Sequence, residues 1–146
     1  MIELRENILS SPAVSAPRLH HVGYVVSDLD AAAANYAALG FTGGERHEIP
    51  EQKIVAMTFR SGTGWLELIQ PTDPDGPIAK YMAKRGEGTH HVAFEVDDIV
   101  AELARLKESG VRLIDETPRT GAHGWTIAFI HPESCNGVLT ELVQVD

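Results

Sequence analysis

Ile99, Leu103 and Leu106 recur at the spacing of one helix face, and the run IVAELARLKES that holds them predicts an amphipathic helix. The stretch before it, 90–96, is rich in strand-forming residues. Asp97 or Asp98 stands between the two as a helix N-cap, and Gly110 sits where a left-handed C-cap is expected. The same order of signals occurs earlier in the chain. A β-rich run covers 20–26, Asp28 precedes DAAAANYAAL, and Gly40 closes it. Further strands are predicted over 53–60 and 64–70, and then over 111–114, 125–130 and 137–144. Each half follows a β-α-β-β-β plan. Between the halves, GPIAKYMAKRGEG has Pro77 at a helix start and Gly86 beyond its end, which predicts a connecting helix over about 76–86.

The two halves also share words. HHVGYVVSDL at 20–29 returns as HHVAFEVDDI at 90–99, 70 positions on. Glu67-Leu68-Ile69-Gln70 returns as Glu141-Leu142-Val143-Gln144, 74 positions on, so the second half has gained a few residues in a loop. Two matches in the same order mark an internal duplication. The chain is expected to be α+β: a polar arm over 1–17, then one domain over 18–146, with modules at about 18–72 and 88–146.

Composition narrows the partners. Of 146 residues, 43% are hydrophobic and 23% charged, an ordinary globular balance. The net charge of −9 argues against nucleic-acid binding. Lys80, Lys84 and Arg85 could still meet a small anionic ligand. Cys135 is the single cysteine, so no intrachain disulfide forms. No run is long enough to span a membrane, and the first residues carry charges where a secretory signal needs an apolar stretch. A cytoplasmic protein is expected.

Alternate side chains of a strand share a face. His20 and His21 should therefore point opposite ways, as should His90 and His91, leaving one of each pair for a shared cavity. Glu67 and Glu141 sit in apolar surroundings (WLELI, LTELV), where a carboxylate is costly unless paired or metal-bound. Brought together, two imidazoles and two carboxylates suit a divalent first-row metal ion. The alternative is plain: a strand histidine is commonly a hydrogen-bonded structural residue, and a strand glutamate can face solvent. The polar Gly-containing loop TPRTGAHG (117–124) is a candidate lid, Trp65 and Trp125 are expected in the core or a cavity wall, and His20 and His90 are expected to be structural or solvent-facing.

Over about 18–144 the sequence resembles the vicinal oxygen chelate superfamily, which includes glyoxalase I, extradiol dioxygenases and bleomycin-binding proteins. Within it, the chain is most similar to the methylmalonyl-CoA epimerase family. The resemblance is carried by HHVGYVVSDLDAA, PEQ at 50–52, LELIQP at 66–71, PIAK at 77–80, RGEGTHHVAFEVDDI at 85–99, GVRLIDETPRTGAHG at 110–124 and HPESCNGVLTEL at 131–142. It implies paired βαβββ modules forming a cupped mixed sheet around a metal site, usually as a homodimer. It implies metal ligation by His21, Glu67, His91 and Glu141, with cobalt, manganese, nickel, zinc or magnesium as the ion. It further implies interconversion of (2R)- and (2S)-methylmalonyl-CoA by a 1,1-proton transfer through a metal-stabilised enolate, with Glu141 as both ligand and base and an acyl-CoA as the partner. Ala56 stands where some members carry a second glutamate, which leaves Glu48, Glu51 and His123 as candidates for the opposite face. A glyoxalase-I-like lactoylglutathione lyase and a metal-free small-molecule or antibiotic-binding module are the alternatives. The flanking motifs favour the epimerase, and retention of all four ligands argues against the binding module.

Overall fold

The first strand of each half pairs with its counterpart, and that pairing builds the molecule. The structure is a computed structural model and describes residues 15–146; residues 1–14, most of the arm expected at 1–17, lie outside the described residues. Eight strands follow in chain order: β1 (Arg18–Val25), β2 (Glu45–Ile49), β3 (Ile54–Ser61), β4 (Gly64–Pro71), β5 (Gly88–Glu95), β6 (Arg119–Thr120), β7 (Thr126–Ile130) and β8 (Thr140–Gln144). Among the described residues, three α-helices accompany them: α1 (Leu29–Ala38), α2 (Pro77–Arg85) and α3 (Ile99–Glu108). The strands form one sheet in the order β2-β3-β4-β1-β5-β8-β7-β6, a curled half-barrel of two βαβββ modules. Within each module the first strand pairs in parallel with the last (β1 with β4, β5 with β8). The seam between modules is the antiparallel pair β1–β5.

Alternation along the strands sorts the core onto two faces. Leu29 and Ala32 of α1 bury against Val55, Leu66 and Leu68, and Ile99 and Leu103 of α3 bury against Ala128, Ile130 and Leu142. The other face carries Ile54, Ala56, Ile69, Trp125, Ile127, Phe129 and Val143, which line the inside of the cup.

The repeated Asp and Gln residues hold the helix starts. The Ala31 and Ala101 N–H groups donate to the Asp28 and Asp98 side chains, each at 3.1 Å. The Leu29 N–H donates to Gln70 Oε1 at 2.8 Å, and the Ile99 N–H to Gln144 Oε1 at 2.9 Å. The ELIQ and ELVQ repeats therefore work on both sides of the sheet: three residues apart on a strand, Glu and Gln point to opposite faces.

Two strand expectations need correction. The segment 111–114 forms only a single bridge, Leu113 to Ile130. The Asp115 carboxylate takes the Phe129 N–H at 2.8 Å, a donor that a continuing ladder would need. In the first module the missing strand is β2, sequence ERHEI. Only Ile49 of it is buried, so hydrophobic pattern alone does not mark this charged edge strand. The linker helix falls where Pro77 and Gly86 place it. Among the described residues, no helix is long and apolar enough to cross a membrane.

Candidate metal centre

The β1–β5 ladder slips twice. Leu19 faces Phe94 and His21 faces Ala93, so His20 is the extra residue on β1; Gly23 faces His91 and Tyr24 faces Thr89, so His90 is the extra residue on β5. An extra residue is a β-bulge, which turns the strand locally and redirects side chains. Strict alternation therefore fails at both His-His pairs. His20 Nδ1 lies 2.7 Å from His21 Nδ1, and His90 Nδ1 lies 2.9 Å from His91 Nδ1. His20 is buried, not solvent-facing, and its ring stands edge-on to Trp125.

Beyond these contacts, His21 and His91 turn their other nitrogens towards each other, Nε2 to Nε2 at 3.0 Å. Glu67 arrives from β4 and Glu141 from β8, the strands flanking β1 and β5. Glu141 Oε1 is 3.1 Å from His21 Nε2, and Glu67 Oε1 is 3.3 Å from His91 Nε2 and 3.6 Å from His21 Nε2. Three of the side chains named from sequence, His21, His91 and Glu141, have donor atoms within 4.8 Å of one another, the fourth, Glu67, lies beside both imidazoles, and all four are buried. Gly23 makes room for one of them. A β-carbon there would fall 2.2 Å from His91 Cε1, so the imidazole occupies the space that a side chain would fill.

The electrostatics follow from burial and crowding. Burial alone would raise the Glu67 carboxyl, but the hydrogen bond from His91 and the nearby imidazoles outweigh it and hold its pKa at about 2. Burial would lower His91, yet the Glu141 and Glu67 carboxylates prevail and raise it above its usual value. His20 and His90 are pushed down to about 4, first by burial and then by the adjacent His21 or His91, so both are neutral at pH 7.

These donors suit a divalent cation. Glu141 Oε1 is buried with no hydrogen-bond partner: His21 Nε2 is close to it but not in hydrogen-bonding geometry. Such an oxygen is costly to keep without a positive charge beside it. Two donors held about 2.1 Å from one ion and at right angles to one another lie about 3.0 Å apart. The observed 3.0 and 3.1 Å separations match that spacing.

The cluster opens on a cavity of about 320 Å³, whose lining includes Glu67, His91 and Glu141. Ile54, Ile69, Ile127 and Phe129 make it apolar, while Lys53 and Arg119 add positive charge. Pro77, Ile78 and Tyr81 of α2 complete one side, and residues 119, 121 and 122 of the predicted lid segment another. Lys80, Lys84 and Arg85 are not part of this lining. Trp125 is a buried cavity wall, as expected.

Of the three opposite-face candidates, Glu51 lines the cavity, whereas Glu48 is exposed beside Arg46. His123 belongs to a neighbouring polar cluster that the sequence reading missed. Buried Thr58 Oγ1 lies 2.7 Å from His123 Nε2 and 3.1 Å from His47 Nε2, and His123 Nδ1 lies 3.6 Å from Glu45. His123 holds a left-handed backbone conformation (φ 56°), which costs energy for a residue with a β-carbon. The alternation of Glu45, His47 and Ile49 on one face of β2 is the signal that could have placed His47 inside the cup.

Comparisons with known proteins agree with this architecture. The sequence profile of the Glyoxalase/Bleomycin resistance protein/Dioxygenase superfamily matches residues 20–129. The mitochondrial methylmalonyl-CoA epimerase of Bos taurus is 39% identical over 137 residues, covering 92% of this chain and 78% of that protein. The ethylmalonyl-CoA/methylmalonyl-CoA epimerase of Cereibacter sphaeroides is 40% identical over 131 residues, covering 88% of this chain and 98% of that protein. Among solved structures, a methylmalonyl-CoA epimerase in complex with methylmalonyl-CoA and NH4+ superposes with a TM-score of 0.85 at 38% identity, over 89% of this chain and 95% of that one.

Proposed function

The chain belongs to the Glyoxalase/Bleomycin resistance protein/Dioxygenase superfamily, and on that premise we propose that it is an epimerase that interconverts (2R)- and (2S)-methylmalonyl-CoA by moving the proton at C2. The observation that carries this reading is the buried, unpartnered carboxylate oxygen of Glu141 at the cavity floor, beside two imidazoles. The epimerase relatives support the choice of substrate class. A glyoxalase-like lyase draws on the same four side chains and is the outcome to test against.

His21, His91, Glu67 and Glu141 would hold one divalent ion. When bound, it would supply Lewis acidity that stabilises the negative charge developing on the thioester oxygen as the C2 proton leaves. The work of the chain is positional. Glu141 accepts the C2 proton on one face of the substrate through a carboxylate oxygen, inversion being completed by a proton delivered to the other face; in the reverse direction Glu141 is the donor. Glu51, the remaining carboxylate of the cavity lining, is our candidate for the opposite face. The apolar walls exclude water from the carbanionic carbon, and Lys53 and Arg119 offer charge to an anionic acyl-CoA. We further propose one domain from residue 18 onward and a homodimer. Light scattering at micromolar concentration should give twice the chain mass, and a single-chain particle contradicts the dimer.

The reaction is tested with methylmalonyl-CoA in deuterated water and protein reconstituted with metal. Deuterium should enter C2 and the two stereoisomers should interconvert. Glu141→Gln should lower both rates by at least about 100-fold, with metal content measured in parallel because the same residue is a ligand. No exchange in fully metallated protein rejects the epimerase reading and favours the glyoxalase-like one.

A further inference from the structure

Both β-bulges of the central strand pair fall on the first histidine of an HH word, one in each module. His20 is the additional residue on β1 and His90 the additional residue on β5. Neither is among the four proposed metal ligands. Each nevertheless puts its Nδ1 against the Nδ1 of the next residue, at 2.7 Å for His20–His21 and 2.9 Å for His90–His91. Each is also set edge-on against an aromatic ring from elsewhere in the chain. His20 meets Trp125 with centroids 4.4 Å apart, and His90 meets Tyr81 of α2 at 4.6 Å. The arrangement is duplicated in structure as well as in sequence.

The geometry points to His20 and His90 as positioning residues that fix the ring orientation and tautomer of His21 and His91. This rests on the proposal that the latter two bind metal through Nε2. A neutral imidazole that offers a lone pair at Nε2 carries its proton on Nδ1. That Nδ1–H needs an acceptor in a buried site. The neighbouring His Nδ1 stands at hydrogen-bond distance, so the outer ring carries its own proton on Nε2. A ligating histidine is generally steered by the partner of its second nitrogen, most often a carboxylate or a backbone carbonyl. Here the partner is another imidazole supplied by the preceding residue. In a regular strand that residue would point to the other face; the bulge brings it round. A neutral partner has a consequence of its own: unlike a carboxylate, it steers the ring without adding negative charge to a centre that already holds two glutamates.

The direct test is nuclear magnetic resonance on 15N-histidine-labelled wild-type protein, before and after loading with zinc. A scalar coupling through the hydrogen bond should link the two Nδ1 nuclei of each pair, and the bridging protons should resonate far downfield. Absence of coupling in both states overturns the inference without any variant being made. Variants provide a second measurement. His20→Phe and His90→Phe keep the ring volume but remove the acceptor, and each should weaken zinc binding about 10–100-fold. His20→Asn and His90→Asn place an amide oxygen where Nδ1 stood and should restore the affinity, a rescue that a role in packing alone does not predict. Phe variants that fold and bind zinc like wild type overturn the inference. Wild-type protein that shows the couplings but takes up no zinc leaves the pairing intact and overturns the metal reading instead.

Discussion

Gly23 shows how a single position can control the candidate centre. It faces His91 across the β1–β5 seam, and its missing side chain is the space the imidazole fills. Its repeat-mate Ala93 faces His21 in turn. Gly23→Ala should displace the His91 ring, because a β-carbon 2.2 Å from Cε1 cannot be accommodated. Metal affinity, measured by competition with a chromophoric chelator, should fall about 10–100-fold, the scale on which loss of ligand orientation acts. Unchanged affinity would show that the ring has another route to the site. His21, His91, Glu67 and Glu141 were all legible as a set, because their types recur at symmetric places and their surroundings are apolar. The inward placement of His20 and His90 beside them was not. Alternation sends them to the opposite face, and a bulge leaves no mark in a hydrophobic pattern.

At the scale of elements, each module ties its helix to the strand that bears its glutamate. Gln70 and Gln144 accept the first free N–H of α1 and α3 while Glu67 and Glu141, three residues earlier, face the cup. Leu29 and Ile99 are each 1% exposed, so those N–H groups have no access to water as a substitute. Gln70→Ala and Gln144→Ala should each cost about 1–3 kcal/mol, the penalty for a buried donor left unpaired. Urea unfolding monitored by circular dichroism measures this, and a variant as stable as wild type would show that the bond contributes nothing. The repeat itself was visible in sequence, as were both helices, their Asp caps and the linker helix. What escaped was β2, whose charged residues suit an edge strand, and the early end of the 111–114 segment. Asp115 ends it by capturing the Phe129 N–H, a contact 14 residues away in sequence that no local pattern reveals.

At the scale of the whole molecule, neither half is sufficient. His21 and Glu67 come from the first module, His91 and Glu141 from the second, and the seam between β1 and β5 brings each imidazole within 3.9 Å of the other imidazole and of both carboxylates. A duplicated sequence makes physical sense here, because each copy contributes one imidazole and one carboxylate to the cluster. The central claim is that the two modules jointly build one divalent-metal centre. The measurement that tests it most directly is the metal content and affinity of wild-type protein beside His21→Ala and His91→Ala, one ligand removed from each module. We predict about one ion per chain in wild type and a marked loss of affinity in both variants, with the fold retained by circular dichroism. Wild-type affinity persisting in both variants would contradict it.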